Sequence, residues 1–421
     1  MHKLKRVLGL LETTLYGIGV ILGVGIYALI GKASGIAGNS VWLSFIIGAI
    51  IAIFTGLSYV ELSSMFPKAG GEYVYIKNAF NRRLAFLSTW LIILAGALAS
   101  ATMSLGFAGY FSQFYNIPKI LIAFSLILFL SIINFIGIKE SSKLNIIATA
   151  IEVFGLFFII FSSINYFGNV NYFETSNFGI SGIFSAAALI FFAFLGFEDI
   201  PRLSEETKNP EKIIPKAIIL SIVISTILYV LVSLSVVSVV NYKDLSNSDA
   251  PLSFVIKNTL GENLSSLMSI IALFAIFNTV LVTLIATSRI MYGIAKDAEI
   301  PKLFSLVHKK FKTPYFSILA ICILSLIFVL FEKIEYVAAL TDFSLFIVFI
   351  LVNLSVIILR FKNPNKKRIY KTNIIFALLG ALTSIFMLFY IDLEIIIYGI
   401  ILIFIGIIFY EIKNTSLNIN F

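Results

Sequence analysis

Two stretches of this chain place glycine where main-chain dipoles could be bared inside apolar runs of membrane length. The first is Gly17-Ile18-Gly19-Val20-Ile21-Leu22-Gly23-Val24-Gly25-Ile26-Tyr27. The second, in the other half of the chain, is Phe191-Phe192-Ala193-Phe194-Leu195-Gly196-Phe197-Glu198-Asp199. Glycine weakens a helix interior, and in lipid unwound backbone persists only where protein buries it or it lines a cavity. If the first stretch unwinds around Gly23 to Gly25, a half-helix starts there. Its free N–H groups carry partial positive charge and suit a carboxylate. The carbonyls at about Ile21, just before the break, and at about Phe192 and Leu195 in the second stretch lose helix partners and suit an ammonium group. Together the two breaks describe a receptor for a zwitterion. For one motif alone, close helix packing through small residues is the competing reading. The paired placement favours binding, because interrupted spans at matching places in two halves point to a transporter site.

A few side chains add to this chemistry. Glu152 falls in mid-span, within Ala150-Ile151-Glu152-Val153-Phe154, where an ionised carboxylate is costly and therefore usually functional. It is read as taking and releasing a proton, or coordinating a cation; a neutral acid that tightens helix packing is the alternative. Glu198 follows the second break and is read as meeting a cationic group, linking helices or acting in gating. Asp199 is expected to be solvated. Thr283 and Thr287 share a helix face and, with Asn278 and Thr279 nearby, offer hydroxyls to a site near Glu152, although Thr also bonds back to its own helix. Phe194 is a candidate lid over substrate. Ser100, Ala101, Ser104, Gly106 and Gly109 make one surface of the third span small and polar. Glu61 and Glu72 are expected to organise the loop after the second span.

The elements that must hold these residues follow from composition. Of 421 residues 59% are hydrophobic and only 13% charged, against roughly 45–50% apolar in soluble domains. Apolar stretches long enough for a bilayer core of ~30 Å number twelve, at about 11–32, 39–65, 84–113, 117–137, 142–168, 180–203, 214–240, 264–296, 313–331, 335–360, 371–390 and 393–413. The expected fold is therefore all-α, a polytopic membrane protein with 12 transmembrane helices. The net charge is +9, yet the basic residues concentrate in alternate loops, which argues against nucleic acid. All but five of the 31 Lys and Arg residues fall on one side, the exceptions being Lys32, Lys119, Lys243, Lys257 and Lys333. The positive-inside rule then puts both termini in the cytoplasm, as an even number of spans demands. The cluster Lys366, Lys367, Arg368 reads as part of that topology signal. Five spans followed by five more, each set opening with a broken one, is the geometry of an inverted repeat. It gives a transport core over 1–360, with repeats at about 11–168 and 180–360, and a peripheral region over 361–421. No cleavable signal peptide is expected. The single Cys322 excludes an intrachain disulfide, and no cofactor or metal site is expected.

Four segments together resemble the amino acid–polyamine–organocation superfamily over essentially the whole length. They are Gly23-Val24-Gly25-Ile26-Tyr27; Tyr59 to Pro67 followed by Gly70-Gly71-Glu72-Tyr73-Val74-Tyr75; Phe194-Leu195-Gly196-Phe197-Glu198 with Glu205 to Pro210 and Ile214-Pro215; and Ser288-Arg289-Ile290-Met291-Tyr292 with Asp297 and Pro301. The resemblance implies the five-plus-five inverted-repeat fold of the bacterial leucine transporter. It also implies amino acid or polyamine substrates bound between helices 1, 3, 6 and 8. On this chain Val24 and Gly25 would receive the carboxylate through N–H groups, and Ile21, Phe192 and Leu195 the amine through carbonyls. Val24 lacks a hydroxyl that many relatives carry. Some proton-coupled relatives have a lysine at what looks like the place of Glu152, and sodium-coupled ones frame a cation site there. The expectation is a secondary active amino acid transporter of the cell membrane working by alternating access, coupled to protons in preference to sodium. Amino acid exchange or polyamine transport is the near alternative. A channel is more remote, since the spans lack a continuous polar lining. An enzyme would need a clustered nucleophile, base or metal set, and ATP-driven transport a phosphate-binding loop.

Overall fold

The computed structural model describes residues 6, 8–66, 71–137, 142–297, 300–366 and 368–418. Pro67, Gly70 and Lys367 lie outside them. The first expected span is two helices, α1 (Leu10–Ile21) and α2 (Val24–Ala37). A 310 turn joins α2 to α3 (Val41–Met65). There follow α4 (Gly71–Ala79), α5 (Arg82–Phe111), α6 (Lys119–Ile136) and α7 (Ser142–Ser162). The sixth expected span is likewise interrupted: α8 (Gly179–Ile190) ends in the 310 turn Phe191–Phe194, and a second 310 segment runs over Phe197–Glu205. The rest comprises α9 (Pro210–Val239), α10 (Tyr242–Asn247), α11 (Pro251–Leu260), α12 (Glu262–Lys296), α13 (Tyr315–Val329), α14 (Ile334–Lys362), α15 (Ile374–Leu388) and α16 (Leu393–Asn418).

Among the described residues eight helical runs are long and apolar enough to cross a membrane, one of them the 42-residue run Val24–Met65 that contains α2 and α3. Four shorter apolar helices accompany them, Leu10–Ile21, Ile147–Ser162, Tyr315–Val329 and Ile374–Leu388. Strands are absent among the described residues apart from one isolated bridge, where Leu8 and Thr207 pair. Its bonds, Leu8 N–H to Glu206 O at 3.1 Å and Lys208 N–H to Leu8 O at 2.8 Å, tie the entry of α1 to the exit of the second broken element. The half-helices on that side of both breaks are thus linked through main chain.

The layering follows from which faces need protein and which accept lipid. α5, packed on α12, α14, α13 and α6, carries small buried residues such as Ala95, Ala97, Ala99 and Ala101, which let neighbouring helices approach. α16 shows large apolar side chains outward, Phe404 and Phe409 among them, as a peripheral helix in lipid should.

One buried ionic knot braces the ends of these helices. The Glu61 carboxylate, wholly buried on α3, accepts from Arg360 Nε at 2.9 Å and Nη2 at 2.5 Å, and from Thr372 N–H at 2.9 Å and Oγ1 at 2.8 Å. Arg368 joins at 3.5 Å from Glu61 and donates to the carbonyls of Leu359 and Asn363 at the end of α14. This corrects two expectations. Glu61 binds α3 to α14 and its following loop, and Arg368 caps a helix end in addition to any bias it gives to orientation. Arg360→Ala would leave the buried carboxylate to Arg368 and Thr372 alone, a change whose upper bound is the cost of breaking a buried pair, about 3–5 kcal/mol. The melting temperature of the detergent-purified variant should fall clearly, and an unchanged one would remove the knot from the stability argument.

Candidate functional site

The two interruptions lie against each other. Val24 and Gly25 are the first residues of α2, so their N–H groups belong to the unsatisfied first turn. Gly23 is extended, with φ 176°. A Cβ on Gly25 would sit 2.3 Å from Ala193 Cα and 2.8 Å from Ala193 N. The start of α2 therefore rests on bare main chain of the 310 turn Phe191–Phe194. Gly196 has φ 113°, a left-handed region that favours glycine, and a Cβ there would meet Val20 O at 2.9 Å. Each break is thus shaped by a glycine facing the backbone of the other. Gly23 is less constrained, since its Cβ would meet only Thr279 Cγ2 at 3.4 Å.

A hydroxyl bridges the two segments. Tyr229 Oη of α9 lies 2.8 Å from both Ile21 O and Ala193 O. One proton faces two carbonyls, and the ring is held by Phe45 and Phe194 at centroid distances of 5.3 and 5.4 Å. Ile21 O, expected to be free, therefore has a protein partner. Phe192 O receives only a long bond from Leu195 N–H at 3.4 Å. Glu198 turns back to accept Gly196 N–H at 2.8 Å and so stabilises the break directly. Tyr229→Phe would leave two buried carbonyls short of a donor, each worth about 1–3 kcal/mol. Counterflow rates should fall about tenfold or more, which corresponds to ~1.4 kcal/mol in the barrier; rates within twofold of wild type would count against the bridge.

A cavity of about 140 Å³ adjoins the breaks. Its wall includes Gly19 and Val20 of α1, Leu195, Gly196 and Glu198, and Asn278, Thr279, Thr283 and Thr287 of α12. Glu72 and Asp199 also line it, so Asp199 belongs to the cavity. On α5 the lining residues are Ile92, Ala95, Gly96, Ala99 and Met103. The expected polar face differs, because Ser100 and Ser104 are buried and bond back to Gly96 O and Ser100 O. Phe194 lies off the wall. It is fully buried, packed with Phe45 and Phe191 and against Gly48, where an aromatic ring serves as core and not as a lid. Beyond the break, the α2 side is packed shut: Val24 to Gly31 are all buried.

Glu152 occupies a separate corner. It is 1% exposed, and neither carboxyl oxygen has a hydrogen-bond partner among the described residues. Its own carbonyl accepts from Tyr27 Oη at 2.7 Å, while Tyr110 Oη donates to Tyr27 O at 2.6 Å. α7 is thereby fixed to the first turn of α2. The expected hydroxyl partners point elsewhere. Thr287 bonds back to Thr283 O and packs on Gly96, and Thr283 Oγ1 lies 3.9 Å from Met103 Sδ, so both face α5. Thr279, beside Gly23, is the α12 hydroxyl nearest the break in helix 1. The candidates thus fall into one group around the cavity and breaks and a second, Glu152 with Tyr27, behind α2.

Two residues were missed by the sequence reading. Tyr229 had no local signal, being one tyrosine within an apolar run. Asp342 had the same signal as Glu152, an acid within a span. It is fully buried on α14, and its Oδ2 accepts Phe192 N–H at 3.1 Å.

Apolar helices, two of them interrupted and meeting beside a cavity, define a multi-pass membrane protein. The chain matches the family model described as amino acid permease over residues 8–414, and it belongs to that family. It is a transporter and not an enzyme. It is similar to a branched-chain amino acid permease of Bacillus subtilis (strain 168), 32% identical over 394 residues that cover 87% of this chain and 84% of that protein. A methylthioribose transporter of the same organism is 29% identical, with 87% and 84% covered. A vacuolar cationic amino acid transporter 4 of Arabidopsis thaliana is 28% identical, with 86% of this chain and 65% of that protein covered.

Proposed function

We propose that this protein is a secondary active amino acid transporter of the cell membrane that works by alternating access. The observation that carries the reading is the meeting of the two interrupted helices beside the cavity, with the first turn of α2 at Gly25 resting on Ala193 of the turn that holds Phe192. A substrate carboxylate would take those N–H groups. Its ammonium would take Phe192 O and Leu195 O, and would compete with Tyr229 for Ile21 O. Gly23 and Glu198 shape the two breaks, and Phe194 supports them from behind. In this reading ten of twelve spans form an inverted repeat over 1–360, with 361–421 and its two spans peripheral and both termini cytoplasmic. The cavity then lies on the cytoplasmic side, and α1, α2, α3, the second broken element and α9 rock against α5, α6, α7 and α12. Glu152 takes and releases the coupling proton, while Thr283 and Thr287 line the route through the cavity.

A second reading, a cationic amino acid or polyamine as substrate, draws on Glu72, Glu198 and Asp199 along the cavity wall, where the described lining holds no Lys or Arg. Purified protein in liposomes, offered labelled L-leucine, L-lysine and putrescine under imposed proton or sodium gradients, tests both. Saturable leucine uptake driven by a proton gradient supports the first reading, and preference for lysine or putrescine the second. Passage without saturation would overturn both in favour of a channel.

A further inference from the structure

Asp342 sits where α14 runs along the second broken element. Asp342, Phe346 and Phe349 form one stripe at i, i+4 and i+7. Phe346 and Phe349 pack on Phe191 at centroid distances of 4.9 and 5.9 Å, and Phe349 on Phe197 at 5.6 Å. The stripe thus spans the break from Phe191 to Phe197, and the acid is its one polar member. Oδ2 accepts Phe192 N–H at 3.1 Å, while Oδ1 is buried and has no hydrogen-bond partner among the described residues. Thr341 and Leu345, on either side in sequence, line the cavity.

This arrangement is a poor purely structural solution. A leucine would complete the aromatic stripe, whereas a half-satisfied buried carboxyl is destabilising. Acids at this depth are retained for a task. The oxygen that holds Phe192 fixes the very residue whose carbonyl is offered to substrate. The other oxygen has an accepting site in reserve, one residue from the cavity wall. Glu152 behind α2 is the counterpart: each interrupted helix has one buried acid at its back.

We propose that Asp342 is a positioning residue for the transport step. One carboxyl oxygen latches the 310 turn Phe191–Phe194 to α14, and the other accepts an N–H or O–H donor as that turn moves, so that translocation and not substrate affinity depends on it. The donor is a protonated water entering from the cavity, which leaves its proton on that oxygen, or the ammonium of the substrate. The inference rests on the transporter reading above.

The test uses full-length protein in liposomes with labelled L-leucine and L-lysine, together with hydrogen exchange of the peptide covering 191–195. Exchange needs no substrate, and wild-type flux is the control that separates failure of the transporter reading from failure of this one. Asp342→Asn keeps one acceptor for Phe192 but replaces the second with a donor. It should leave exchange at 191–195 and KM near wild type and lower Vmax about tenfold or more. Loss confined to gradient-driven uptake, with counterflow intact, identifies the donor as a proton. Equal loss in both modes identifies the ammonium. Asp342→Leu should speed exchange at 191–195 and also lower Vmax. A wild-type Vmax in Asp342→Asn, a change in its KM alone, or unaltered exchange in Asp342→Leu would each overturn the proposal.

Discussion

Gly25→Ala is expected to reduce transport about a hundredfold, the scale on which a misplacement of about 1 Å acts in a preorganised site. The added methyl would lie 2.3 Å from Ala193 Cα and 2.8 Å from its nitrogen. Non-bonded carbons rest at about 3.5–4.0 Å, so the two segments must part by more than 1 Å. Neither side can yield by rotating a side chain, because the colliding atoms are main chain. Ala193 is also held through its carbonyl by Tyr229. Separation would pull Val24 N–H and Phe192 O away from a common ligand and leave the helices themselves intact. Gly23→Ala is the matched control. Its Cβ would meet a threonine methyl at 3.4 Å, in extended backbone that any residue adopts, and it should retain most activity. Initial rates of counterflow for the two variants, at equal amounts of folded protein, give the comparison. Equal activity in both would show that the close approach at Gly25 is not required.

Glu152→Gln should separate accumulation from exchange. The Glu152 carboxyl makes no hydrogen bond among the described residues, and the contact that fixes α7 to α2 runs through its backbone carbonyl. An amide of the same shape therefore removes no observed hydrogen bond, and Tyr27 stays in place. What it removes is the ability to take and release a proton. Uptake driven by an imposed proton gradient should fall about tenfold or more, while counterflow, which needs no net proton movement, should stay within about threefold. Retention of the full pH dependence in this variant would assign coupling elsewhere, and Asp342 is the other buried acid behind a broken helix.

Legibility in the sequence followed the range of the interaction. Apolar runs, the loops between them and the two interruptions are local features, and the interruptions fall at Leu22–Gly23 and Leu195–Gly196, within the stretches singled out. Glu152 was legible because charge within a span is rare and costly. Asp342 carries the same signal, but no glycine motif marks the tenth span around it.

What the chain determined unaided is where the helices break and which spans hold an acid, because backbone propensity and the penalty of burying charge act within a few residues. Tertiary structure alone decided the partners. It set Gly25 on Ala193 and Gly196 on Val20, placed one tyrosine across both breaks, and turned Thr283 and Thr287 toward α5. It also drew Phe194 into the core and gathered Glu61, Arg360, Arg368 and Thr372 into one knot. Each of these depends on the angle at which distant helices pack, and helical periodicity offers a face without saying which neighbour will cover it.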